Sequence, residues 1–190
     1  MVRRWPGAAP LLLLLLSVTL AGAPPRAAAQ NAASIADFAG AWRGIEVGEV
    51  GGEPPPAVTP AALALTVTPE QRGFRLSWQR PDGEHVEATF APTDRPGVFF
   101  VQRSTNPLLG LFFSPATGNP LEGETLLWSR LEGSTLVLYS LRLDQRGGFG
   151  LHRAAWTLQD GGRHLALDYS RLAEGPTEVT VAARLERAGG

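Results

Sequence analysis

The sequence contains no cysteine. That excludes a disulfide framework, thiolate metal sites, thiol nucleophiles and lipid attachment to a cysteine. Lysine is absent as well, and all 17 basic residues are arginine, a usage that fits a GC-rich coding bias. The three histidines are isolated from one another. There is no Gly-x-Ser-x-Gly elbow, no glycine-rich phosphate loop opening a helix, and no His-Glu-x-x-His pair. His164, Asp168 and Ser170 are triad residue types, but along an extended strand His164 and Asp168 stand ~13 Å apart, beyond hydrogen-bond reach. The expectation is a protein without catalytic residues, metal site or cofactor. A formal charge of -1 with no basic stripe also excludes a nucleic-acid partner.

What is present first is an export signal. Arg3 and Arg4 precede the apolar run Leu11 to Leu16 with Val18 and Leu20, which is too short to span a bilayer comfortably, and Ala27-Ala28-Ala29 offers a small-x-small cleavage site. Residues 1–29 read as a signal peptide and residues 30–190 as a single domain. Cleavage removes Arg3, Arg4 and Arg26 and no acid, leaving an acidic mature chain. The expected location is periplasmic or secreted, in a bacterium.

The rest alternates apolar and polar residues in short runs rich in Val, Leu, Thr, Phe and Trp, punctuated by Gly, Pro and Asp, with no sustained 3.6-residue period. The runs are Trp42 to Val47, Ala62 to Thr68, Phe74 to Arg80, His85 to Ala91, Val98 to Arg103, Glu124 to Arg130, Thr135 to Leu143, Phe149 to Leu158, His164 to Leu172 and Glu178 to Glu186. They predict an all-β chain: an antiparallel meander of about ten strands. Ser34 to Phe38 can form one helical turn before them, capped by Ser34. A meander of this length must close or leave two edges bare, and closure into a barrel removes them.

Turn chemistry proposes registers. An Asp160-Gly161 hairpin pairs Trp156 with Leu165, Ala154 with Leu167 and His152 with Tyr169, and opposes Arg153 to Asp168 on the other face. A Glu132-Gly133 turn pairs Trp128 with Val137 and Leu126 with Tyr139. Between Phe74 and Phe90 a two-residue turn would split the apolar set between faces. A three-residue loop Pro81-Asp82-Gly83 with Gly83 left-handed instead pairs Trp78 with Val86, Leu76 with Ala88 and Phe74 with Phe90. Trp78, Trp128, Tyr139, Trp156, Leu165, Leu167 and Tyr169 are then expected inside, with Ala88 and Ala154 leaving room for a cavity. Outward Arg75, Gln79, Glu87 and Arg153 speak against a lipid-facing barrel.

Phe38-Ala39-Gly40-Ala41-Trp42, at the start of the first strand, resembles the Gly-x-Trp opening of lipocalins and their calycin relatives. Ten strands, and no helix after the last, look more like the fatty-acid-binding-like branch. The resemblance implies that Gly40 and Trp42 close one end of the barrel and that an arginine of the last strand, Arg184 or Arg187, covers Trp42. It further implies a small ligand inside. Tyr169 and Arg171 resemble the Arg and Tyr that hold a ligand carboxylate in fatty-acid-binding proteins.

Two long connections stand out. Gly48 to Pro60, with Pro54-Pro55-Pro56, is either a lid over the open mouth or a solvated spacer. Ser104 to Gly123 carries Leu108, Leu109, Leu111, Phe112 and Phe113, a stretch able to contact a membrane or a protein partner if exposed, or to tuck against the barrel. The leading expectation is an exported, non-catalytic barrel for a small apolar or anionic amphiphilic ligand. The ligand site would comprise Arg171, Tyr169 and His152 for the head and Trp78, Trp128, Trp156 and Leu167 for the tail. The rival is an envelope structural or interaction protein, such as an assembly factor or protease inhibitor, with a solidly packed barrel.

Overall fold

The computed structural model describes residues 33–51, 58–102, 118–173 and 179–189. Its strands are β1 (Gly40–Gly51), β2 (Ala64–Glu70), β3 (Gly73–Gln79), β4 (His85–Pro92), β5 (Val98–Gln102), β6 (Leu126–Glu132), β7 (Thr135–Leu143), β8 (Phe149–Gln159), β9 (His164–Ala173) and β10 (Val179–Arg187). Each pairs antiparallel with the next in sequence, and β10 pairs with β1, so the sheet is a closed ten-stranded barrel. The helical pieces are short 3₁₀ turns, Ile35–Phe38, Pro60–Ala62 and Pro120–Glu122. The hydrophobic stretch Leu108 to Phe113 and the Pro54-Pro55-Pro56 segment lie outside the described residues.

Alternation sorts the side chains. In β3, Phe74, Leu76 and Trp78 are buried while Arg75 is exposed. The interior is filled by rings. Phe74 stacks on Phe90 with centroids 5.0 Å apart, Phe99 meets Phe74 edge-on at 5.2 Å, and Trp78 meets Trp156 edge-on at 4.9 Å. Tyr169 closes on Trp78 at 5.7 Å. Ala154, 1 % exposed, lies opposite Tyr169 on the same inward face.

The loop Pro81–Gly83 has the expected form. Gly83 is left-handed at φ 87°, and Phe74 pairs with Phe90, Leu76 with Ala88 and Trp78 with Val86. The other two registers are displaced by two residues. β8 and β9 are joined by four residues, Asp160 to Arg163, with positive φ at Asp160, Gly161 and Gly162 (51°, 68° and 85°). Trp156 therefore pairs with Leu167, Ala154 with Tyr169, and His152 with Arg171. The second glycine makes the wider turn accessible, and a two-residue displacement leaves every side chain on its expected face. Arg153 now lies opposite Ser170, but its guanidinium still reaches Asp168 diagonally at 3.7 Å.

At β6 and β7 the turn is Gly133-Ser134, which pairs Trp128 with Tyr139 and Leu126 with Leu141. Trp128 and Tyr139 share a face, but it is the outer one, where their rings stack 4.9 Å apart. β6 carries large apolar residues at both parities, Leu126 and Trp128 against Leu127 and Leu131. The choice falls to Ser129, which is buried and donates to the Val137 carbonyl at 2.9 Å. Trp128 is thus not a lumen residue.

Candidate functional site

The two ends of the barrel differ. One is plugged. The 3₁₀ turn Ile35–Phe38 is tied by Ser34, whose backbone N–H and hydroxyl both donate to the Asp37 carboxylate at 2.7 and 2.9 Å; these bonds hold that carboxyl below its ordinary pKa. Phe38 is fully buried, and Trp42, 1 % exposed, donates its indole N–H to the Phe38 carbonyl at 2.9 Å. The Arg187 guanidinium lies over the Trp42 ring at 4.2 Å, a cation–π contact, and donates to the carbonyls of Ala39, Asp37 and Gly162. Gly40 enters the strand at φ 115°, and a Cβ there would stand 3.0 Å from an Arg187 nitrogen. Arg184 is not the covering arginine. Leu185 and Ala183 point inward, so Arg184 points outward, where it donates to Asp160 at 2.8 Å.

At the opposite end lies a cleft of about 700 Å³, lined by groups from the β3–β4 loop and from β7, β8 and β9. The inward parity of β3 that places Phe74, Leu76 and Trp78 continues to Arg80, which is only 4 % exposed. Its guanidinium donates to Asp82, to Glu84 at 2.6 Å, and to the His152 ring at 2.6 Å from Nδ1. Its Nε has no acceptor. Tyr169 places its hydroxyl 2.9 Å from His152 Nδ1. Burial, reinforced by the Arg80 charge, pushes the His152 pKa down from 6.5 to about 4. The ring is therefore neutral at pH 7 and accepts from Arg80. Burial also raises the Tyr169 phenol, with the Asp82 charge adding to the effect.

Above this network stand two further arginines. Arg171 sits opposite His152, and Arg142 sits opposite Gly150 on the other flank of β8. Neither has a hydrogen-bond or ion-pair partner among the described residues. The acids of the cleft are engaged: Asp82 and Glu84 with Arg80, and Asp144 with the backbone N–H groups of Arg146 and Gly148, both at 2.8 Å. Compared with protein families, with characterised proteins and with solved structures, the chain matches none.

Of the residues the sequence nominates, the structure brings together His152, Tyr169 and Arg171, but Tyr169 spends its hydroxyl on His152. Trp78, Trp156 and Leu167 lie in the packed interior and do not line the cleft, and Trp128 is outside. Sequence reasoning missed Arg80, Asp82, Glu84, Arg142, Asp144 and Gly150. For Arg80 and Arg142 a signal existed, since each continues the inward parity of its strand by one more step. The positions of Asp82 and Glu84 follow from the Pro81–Gly83 loop, and those of Asp144 and Gly150 become apparent only once β7 and β8 are paired.

Proposed function

We propose that this is an exported, calycin-like barrel that binds a small amphipathic anion at its open mouth and performs no chemistry on it. The observation that carries the reading is Arg171: a guanidinium on the wall of the cleft, next to a neutral imidazole, without a partner among the described residues, where the acids that line the cleft are already engaged. Such a charge favours a ligand carboxylate or other oxyanion. The apolar part of the ligand would rest on Phe149 and Ala173, both of which line the cleft, because the space between Trp78 and Trp156 is occupied by those rings themselves. The calycin likeness rests on Gly40-Ala41-Trp42, on the plug at Trp42 under Arg187, and on the ten-stranded closure. Location outside the cytoplasm rests on the Arg3 to Ala29 leader and on outward Arg75 and Glu87, which suit water and not lipid.

Replacing Arg171 by Met keeps the apolar reach and removes the charge. Hexanoate binding should weaken by about 1.5–3 kcal/mol, while hexanol should be little affected, as read by calorimetric titration against both proteins. Equal losses for acid and alcohol reject Arg171 as the anion site.

The packed interior also supports a second reading, in which the barrel is a solid scaffold for a protein partner on the outer wall. The half-buried stacked pair Trp128 and Tyr139 is the feature that favours it. Absence of saturable small-ligand binding, together with a mapped protein contact that Trp128→Ser abolishes, would establish that alternative.

A further inference from the structure

The two unpartnered arginines of the mouth do not sit on adjacent strands. Arg142 belongs to β7 and Arg171 to β9, with β8 between them. All three strands present inward positions there. Against Arg142 that position on β8 is Gly150, and against Arg171 it is His152. A strand separates them, so the two flanking backbones are ~10 Å apart, a span that two arginine side chains can close from either side onto one group. The strand between them has no side chain at the decisive position. A Cβ built on Gly150 would meet nothing nearer than the His152 ring at 3.8 Å. The glycine is thus required neither by backbone conformation nor by packing, and it leaves an open floor between the two guanidinium groups.

Beneath this floor Arg80 is itself buried and aimed into the cleft, with its Nε unsatisfied. Its charge is countered by Asp82 and Glu84, and Asp144 is held by two backbone N–H groups. Of the three arginines of the cleft, Arg142 and Arg171 are therefore the two without an ion-pair partner among the described residues, on opposite sides of one opening.

Building on the anion-binding reading above, we infer that the mouth is a site for a dianionic tetrahedral head group, a phosphate monoester, clamped between Arg142 and Arg171 over Gly150. A monocarboxylate or a sulfate ester can satisfy one guanidinium by charge. A phosphate monoester, whose second pKa is about 6 and whose three terminal oxygens point in different directions, can engage both. The short apolar remainder of such a ligand would lie toward Phe149, which is 38 % exposed at the same rim.

Two probes of one shape and one tail separate charge from size: hexyl phosphate, doubly charged at pH 8, and hexyl sulfate, singly charged at every pH of interest. Calorimetric titration of the mature protein at pH 8 and low salt should give hexyl phosphate at least about tenfold the affinity of hexyl sulfate. Arg142→Met should erase that preference while leaving hexyl sulfate within about twofold. Arg171→Met should weaken both. Gly150→Leu, placed where a side chain has room, should block both without lowering the melting temperature, and Arg142→Lys, which keeps the charge, should retain part of the preference. Equal affinity of the parent for the two probes, or a Gly150→Leu protein that binds as the parent does, overturns the clamp and leaves the mouth as a simple anion site. If the parent binds neither probe nor hexanoate saturably, the anion-binding reading itself fails.

Discussion

His152 is a neutral ring held between a buried cation and a phenol. Its folded-state pKa lies near 4 against 6.5 for the free side chain. Above pH 6.5 the imidazole is uncharged in both folded and unfolded chains and contributes nothing to pH dependence. Between 6.5 and 4 the unfolded chain takes up the proton first. Stability should therefore fall through that window and level off below it, by on the order of 2 kcal/mol once partial exposure is allowed for. Urea midpoints of the parent and of His152→Gln, measured from pH 7.5 to 4, should diverge as the pH falls, the variant losing less; parallel curves would show that His152 does not titrate in this way. Part of this site was legible from residues alone: the alternation along β8 and β9 places His152, Tyr169 and Arg171 on one face. Arg80 has the inward parity of β3 as its signal, but a strand-terminal arginine before a proline turn also reads as solvent-exposed until the acids that hold it, Asp82 and Glu84, are folded back over it.

Turns decide what strands cannot. The Pro81–Gly83 loop was legible because, of the two- and three-residue turns its residues offer, only the three-residue one keeps Phe74, Leu76 and Trp78 on the face of Val86, Ala88 and Phe90. The β8–β9 turn was not, since displacements by two residues preserve the faces and Asp160-Gly161-Gly162 supports turns of more than one length. That turn has a conformational cost at Asp160, whose φ of 51° is disfavoured for a residue with a Cβ. Its side chain offsets the cost by accepting from Arg184 and meeting His164, both at 2.8 Å. Asp160→Gly loses those contacts but relieves the backbone, whereas Asp160→Ala loses them and keeps the strain. The alanine variant should be less stable by about 1 kcal/mol, the left-handed penalty reduced by alanine's smaller unfolded-state entropy; equal thermal midpoints would show that the backbone is not strained there. The face of β6 was also hidden, because apolar residues at both parities leave alternation silent and a single buried serine decides.

At the scale of the whole molecule, ring packing fills the middle of the barrel among the described residues. Trp156 is fully buried with its edge against Trp78, and Trp156→Ala should cost about 3–5 kcal/mol. The void it opens is lined by Trp78, Leu167 and their neighbours and should admit a molecule of benzene's size, since empty apolar cavities stay dry and bind such ligands. Benzene should raise the melting temperature of the variant and leave that of the parent unchanged; stabilisation of both would point to a cavity already present in the native chain.

The seam between β1 and β10 joins Trp42 to Arg187, residues from the beginning and the end of the domain. Until β10 has been synthesised and delivered, β1 and β9 each present an unpaired ladder, and the plug at Trp42 lacks its arginine. Closure is therefore the most non-local event of folding, and it comes last in chain order. The same topology that removes the edges in the finished barrel therefore leaves two ladders open until everything from β1 to β10 is in place, so a fragment that stops short of β10 should expose the strand edges that the complete barrel hides.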